Sequence, residues 1–549
     1  MPAKVAKATS MTRPENPTLE ELHAYADYLE EQNKALRKLH EELHQRQRVL
    51  EQQLSVLQEQ VLLARRHRFG PSSERTHPDQ ASLFETVDEL FNEAEAVKDE
   101  EDAEAEKETI TYQRRKKRVS FQQKLEELPA SRTVKHELPE EERVCPQCEG
   151  QLHVMKVERR RELHIIPARV EVVEHERDVY VCRHCERRGT SVPIVKAPMP
   201  EPLLPGSGAS ASAAAYIMTE KFDKSVPLHR QEQQLVAEIE LSRQTMSNWL
   251  IGSRERYLGP FCERMGHHLR LRDVLHMDET FVQVLREPGR DATTKSTMWL
   301  MATGRDGPPI FLFDYQLTRS AEHIQKLLQG YSGYLHVDGY AGYEGLPGVK
   351  LVGCWAHVRR KFDEALSALP PSKRSKGPVA AQEGLDYCNR LFSIERQLKH
   401  LSPEERKARR QELSVPVLTE FKAWLERQKS LVLSKSALGK AISYTLKQWP
   451  KLTVFLEDGR LSIDNNRAEQ AIRPFVVGRK NWLFANTPRG AAASATIYSI
   501  VTTAKANNLR PYEYLKYLLE QLPNIDITDP EALDALMPWS DTLPPECRR

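Results

Sequence analysis

Asp273-Val-Leu-His-Met-Asp278-Glu-Thr-Phe-Val-Gln-Val284 is the stretch on which the fold turns. Its run of apolar and β-branched residues reads as a strand with an acid, Asp278, in its middle. Downstream, Ser296 to Thr303 and Pro309 to Gln316 read as two further strands, and Arg319 to Gly330 as a helix. Tyr334 to Asp338 reads as a fourth strand, ending on Asp338-Gly339-Tyr340, and Lys350 to Trp355 as a fifth. Val358 to Leu366 opens another helix.

Three consecutive strands, a helix, a strand, then strand and helix is the order of a ribonuclease-H-like α/β domain. In that order the first and fourth strands lie side by side, so Asp278 and Asp338 meet despite the residues between them. Breaking or exchanging a phosphodiester needs an activated oxygen nucleophile and a stabilised leaving oxygen, which two divalent ions roughly 3.5–4 Å apart supply. Mg²⁺ prefers oxygen ligands and takes few protein carboxylates. An acid at a strand end, such as Asp338 before Gly339, also reads as a plain turn residue.

Upstream, Leu22, Leu29, Leu36, Leu43, Leu50 and Leu57 recur every seven residues and predict a leucine-repeat helix over 15–70. The companion seam has a polar middle, Asn33, His40 and Gln47. The helix reads as a dimerising coiled coil or, failing that, as an amphipathic helix packed on its own chain. Residues 71–130 read as an acidic disordered linker. Cys145-Pro-Gln-Cys148 and Cys182-Arg-His-Cys185 supply four thiolates, the donor set of a structural zinc ribbon over 131–195. Between them Val170, Val172, Val173, Val179, Tyr180 and Val181 alternate as strands do. Residues 206–255 read as a helix-turn-helix DNA-binding region, or as a plain three-helix spacer. Its helices are expected at Ala209 to Phe222, Pro227 to Ala237 and Ser242 to Ile251. Ser242 suits an N-cap. Arg243, Gln244, Ser247 and Asn248 then face outward for a DNA groove, while Met246, Trp249 and Leu250 pack inward.

Asp464-Asn-Asn-Arg-Ala-Glu469-Gln-Ala-Ile-Arg473 is dense in polar and basic groups. Asp464 or Asn465 can cap a helix carrying Glu469, which alone reads as a solvated helix glutamate. Arg479-Lys480-Asn481-Trp482 sets a basic pair beside an aromatic, suited to holding a nucleic-acid strand.

At this point the chain resembles the IS66 insertion-sequence family, a group of Asp-Asp-Glu transposases. The resemblance rests on His276-Met-Asp278-Glu-Thr280, Asp338-Gly-Tyr-Ala-Gly-Tyr343 and Cys354-Trp-Ala-His357-Val-Arg359-Arg360. It rests above all on the long block from Asp464 through Arg473, Arg479 and Lys480 to Phe484. It implies that Asp278, Asp338 and Glu469 are the metal-binding acids of a catalytic domain over 265–500. It also implies a helical insertion at 361–457, with a C-terminal helical tail following at 501–549. Cofactors are then two catalytic Mg²⁺ and one structural Zn²⁺. Partners are DNA, as element ends and target, a second copy of the chain, and small accessory proteins of the same element. His357, Arg359 and Arg360 are candidate phosphate contacts, as are Arg473, Arg479 and Lys480. Cys354 and His357 are only two ligands and do not close a zinc site, so they read as structural or DNA-facing. Glu279 and Asp314 read as structural acids.

Charge agrees with a polyanionic partner. The net charge of +2 conceals −10 between Leu83 and Glu108 and +12 elsewhere. No apolar run approaches the ~20 residues of a membrane helix, and the N-terminus lacks a secretory h-region, so a cytoplasmic protein is expected. The same residues admit a catalytically silent DNA-binding derivative or a structure-specific nuclease.

Overall fold

The computed structural model describes residues 18–69, 169–181, 194–236, 239–369 and 379–549. The linker and all four zinc-ribbon cysteines fall outside them. The leucine repeat forms one long helix, α1 (Leu19–Phe69), whose repeated leucines are exposed along it. Near its C-terminal end the Glu59 carboxylate accepts the backbone N–H of Ala437 at 3.0 Å. A separate compact unit, 86–197 with 237–239, contributes a short antiparallel pair, β1 (Val179–Val181) with β2 (Ile194–Lys196). The alternation expected to make a strand from Val170 onward does so only at Val179–Val181; residues 169–178 form no strand, and their valines are exposed.

Directly before the sheet, among the described residues, come α2 (Ala211–Phe222), α3 (Leu228–Leu235), α4 (Arg243–Ser253) and, after a π turn, α5 (Gly259–Arg270). Ser242 caps α4 by accepting the Thr245 N–H at 3.1 Å. Met246 and Leu250 are buried, Trp249 packs beside them, and Arg243, Gln244 and Asn248 are exposed. These helices share one apolar core with the sheet.

The strands come next: β3 (Val274–Gln283), β4 (Lys295–Thr303) and β5 (Phe311–Gln316). After the short helix α6 (Ala321–Leu327) come β6 (Gly333–Val337) and β7 (Val349–Gly353). They form a five-stranded sheet in the order β5-β4-β3-β6-β7. The first three are antiparallel, while β6 joins β3, and β7 joins β6, in parallel. The expected juxtaposition of first and fourth strands is therefore present.

The chain then leaves the sheet as α7 (Trp355–Ser367), α8 (Ala380–Gln397), α9 (Pro403–Leu431) and α10 (Ala437–Leu452). These helices enclose a second core around Trp355, Phe362, Phe421 and Trp424. Buried Arg410 forks onto Glu395 and donates to the carbonyls of Phe455 and Leu461. That fixes the segment returning to the sheet, where α11 (Asn466–Trp482) begins.

The chain ends in α12 (Pro488–Ala506), α13 (Pro511–Gln521) and α14 (Pro530–Asp534). α12 runs through the expected boundary between catalytic domain and tail, 500/501, and covers the free edge of β5. The Phe311 and Phe313 N–H groups donate to Thr503 and Ser499 hydroxyls at 3.0 and 2.8 Å. An edge strand left bare would offer those groups to another chain. Among the described residues, no helix is long and apolar enough to cross a membrane.

Candidate active site

The parallel register of β3 with β6 pairs Val274 with Tyr334 and His276 with His336. Two residues further along, on the same face by strand alternation, stand Asp278 and Asp338. Beneath them the His276 and His336 rings stack at 4.2 Å, 7° apart, and both are fully buried. Burial pushes His276 down to about 3, so its ring is neutral.

The third acid arrives on α11. Asn465 sits at the N-cap position, but its side chain makes no capping bond. Instead its Nδ2 donates to the Met277 carbonyl at 2.7 Å, and its Oδ1 lies 2.9 Å from His276 Nδ1. With Oδ1 the only acceptor left on that amide, His276 donates from Nδ1. The Asn465 backbone N–H donates to Cys354 Sγ at 3.2 Å. One buried side chain thus pins the start of α11 to β3 beside Asp278. Glu469, in the first turn, then faces the sheet acids.

The electrostatics report the same convergence. Burial first, then the charges of Glu279, Glu469 and Asp338, pushes the Asp278 carboxyl up to about 8. Its Oδ1 accepts the Glu279 N–H at 2.9 Å, and Asp338 Oδ1 accepts that of Tyr340 at 2.8 Å. Glu469 Oε1 is shielded from solvent with no hydrogen-bond partner. A cation beside these carboxylates would offset their mutual repulsion. An all-oxygen set on rigid elements fits a hard divalent ion, so Asp278, Asp338 and Glu469 fit the group that the sequence implies.

Basic groups surround the acids. His357 Nδ1 lies 3.6 Å from Glu469 Oε1, and an Arg360 guanidinium nitrogen 3.5 Å from Oε2. Arg479 donates to the Thr280 hydroxyl at 3.3 Å, two residues past Asp278. Arg473 and Lys480 are exposed on α11. Arg359 instead turns to the insertion, donating to Asn389 Oδ1 at 2.9 Å. Trp482 is half-buried and packs edge-on against Phe475 at 5.5 Å. Arg243, Gln244, Ser247 and Asn248 lie on α4, which packs on α2, α3 and α12. Cys145, Cys148, Cys182 and Cys185 lie outside the described residues.

Glu279 points to the other face and is held there. Arg319 pairs with it, and Tyr343, fully buried, donates to its Oε2 at 2.6 Å. The Arg319 guanidinium lies over the Tyr340 ring at 3.7 Å. This brace ties the loop after Asp338 to β3. Among these positions, Asn465 is the one that sequence reasoning undervalued; its signal was an asparagine beside a helix start that already had Asp464 as a cap candidate.

Comparison with known proteins accords with this arrangement. A family model described as "Transposase IS66 family" matches residues 206–493, over half of the chain. The chain belongs to the IS66 transposase family. Models for the IS66 C-terminal element and the zinc-finger binding domain of IS66 transposases match 499–539 and 142–186. The second span contains all four paired cysteines, which supports a structural zinc. A model described as "Transposase C of IS166 homeodomain" matches 56–140. The uncharacterized protein y4jD of Sinorhizobium fredii is 32% identical over 416 residues, 73% of this chain and 78% of the relative. Protein y4hP of the same organism is 32% identical over 395 residues, 69% of each. No solved structure matches. Family membership implies a transposase whose partner is DNA.

Proposed function

We propose that the chain cleaves the ends of its own DNA element and joins them to target DNA, on a ribonuclease-H-like domain. The sheet order, three antiparallel strands continued by two parallel ones, supports that fold. What supports the function is the placement of Asp278 and Asp338 beside one another, with the charges of Asp338 and Glu469 both acting on Asp278. Asp278 in β3 and Asp338 just past β6 stand two positions beyond the paired His276 and His336, and Asn465 ties the start of the Glu469 helix to β3.

Asp278, Asp338 and Glu469 would hold two Mg²⁺ ions. When bound, such a pair lowers the pKa of an attacking oxygen and stabilises the leaving one. The chain's own side chains do the rest. The brace on Glu279 and the Asn465 clamp keep the acids fixed, so little reorganisation is needed as charge develops at phosphorus. Arg360 and Arg479 offer positive charge, and His357 a ring N–H, to phosphate oxygens beside the acids. The same placement serves both chemical steps, attack by water and then by the freed 3′-hydroxyl, because each is an in-line displacement at a phosphodiester. Arg243, Gln244, Ser247 and Asn248 on α4, with the zinc ribbon, would grip the element's ends, and α1 would pair two copies.

The test is a full-length protein incubated with DNA carrying the inverted ends of its element. Mg²⁺-dependent nicking and strand transfer are expected. Asp278→Asn should abolish both while end binding persists. Binding without nicking by the unaltered protein would instead indicate a silent DNA-binding derivative. Nicking without transfer would indicate a nuclease.

A further inference from the structure

The cysteine and histidine that the sequence leaves two ligands short of a zinc site have a third neighbour. Cys354 is the N-cap residue of α7, and His357 follows in its first turn. Spacing of three residues on a helix puts both on one face. Glu469 comes from the first turn of α11, more than a hundred residues later. One ligand atom from each, Cys354 Sγ, a His357 ring nitrogen and a Glu469 carboxylate oxygen, lie within 4.8 Å of one another.

The details are those of a ligand set. His357 Nδ1 and Glu469 Oε1 are 3.6 Å apart, too far for a hydrogen bond but close to the separation of two donors across a small tetrahedral ion. Both atoms are shielded from solvent, and neither has a hydrogen-bond partner. Cys354 Sγ accepts the Asn465 N–H at 3.2 Å, the kind of outer contact that steadies a metal thiolate. Sulfur, imidazole and carboxylate together select a softer ion than the all-oxygen pair Asp278 and Asp338 does.

We propose that Cys354, His357 and Glu469 bind one thiophilic divalent ion of the zinc class, sharing Glu469 with the adjacent oxygen-lined site. Binding forms the metal–sulfur bond and releases the Cys354 thiol proton to solvent. Three protein ligands leave a fourth position for water. Glu469 is then oriented by an ion on Oε1, while Oε2 stays available to a cation held with Asp278 and Asp338. The inference goes beyond the transposase reading and stands on metal binding alone, so a protein that cuts no DNA could still satisfy it.

The experiment is metal analysis of the full chain after equilibration with zinc and removal of loosely held ion, together with cobalt substitution. Wild type should hold about one ion per chain more than Cys354→Ser, His357→Gln or Glu469→Gln, above whatever the paired cysteines retain. The cobalt form should lose part of its thiolate charge-transfer absorption in Cys354→Ser, and its band should shift in His357→Gln. His357→Gln keeps the buried sulfur, and so guards against a Cys354 variant that fails to fold. Equal zinc content in wild type and His357→Gln would overturn the site. So would a loss confined to Cys354→Ser, which would leave the sulfur binding without the other two ligands.

Discussion

Asp278 and Asp338 reach the site by a different route from Glu469. The two aspartates are placed by sheet register: once β3 and β6 pair in parallel, every level is set, and His276 over His336 fixes theirs. Glu469 is placed by one amide, Asn465, which joins α11 to β3 after a helical insertion with its own core. A continuous ladder tolerates the loss of one contact. A single buried clamp does not, because removing it leaves its partners unpaired in a dry setting.

That contrast can be broken most sharply at the acids. Glu469→Gln should lower metal-dependent cleavage by on the order of 10³-fold, matching Asp338→Asn, with end binding intact. Cleavage within about tenfold of wild type would remove the helix from the site and leave the sheet acids to act alone. Next comes the clamp. Asn465→Ala should cost about 1–3 kcal/mol in denaturant unfolding, because the His276 N–H and the Met277 carbonyl lose their partner. It should also reduce cleavage by roughly 10–100-fold through a misplaced Glu469. A fully active, equally stable variant would mean that α11 is held by its packing instead.

The carboxylate crowding gives a pH signature in metal-free protein. Asp278 is raised to about 8 in the fold, from an ordinary value near 4 in the unfolded chain. The folded state therefore holds a proton that the unfolded state has lost, and stability falls as pH rises across that window. Asp278→Asn should flatten that fall and be the more stable protein near pH 8, by about 1–3 kcal/mol. A wild-type stability flat between those limits would show that the acids do not crowd. The smallest effect belongs to the brace. Tyr343→Phe removes one hydrogen bond to Glu279 while Arg319 remains, a loss of about 1 kcal/mol in unfolding.

The same contrast explains what the sequence made legible. Strands and their order could be read because apolar patterning is local, and it carried Asp278 and Asp338 to adjacent strands. The helices around Ser242 and Met246 were legible through a cap and a buried face. Glu469 was identified through resemblance, since a glutamate in a helix's first turn carries no periodic signal of its own. Asn465 was visible only as a cap candidate; its real partners lie almost two hundred residues away in β3. Likewise the sequence offered Cys354 and His357 without a third ligand, because that ligand sits beyond the insertion. The alternation from Val170 predicted more strand than forms among the described residues, where only Val179–Val181 of that stretch pairs with a partner strand.

In the proposed reading, sheet and helix build one metal site. Titrating the full-length protein with Mn²⁺, and following free ion by paramagnetic resonance, tests it without DNA. Asp338→Asn and Glu469→Gln should each weaken binding by about tenfold or more, and to similar extents. Mn²⁺ affinity unchanged in Glu469→Gln but lost in Asp338→Asn would contradict a shared site.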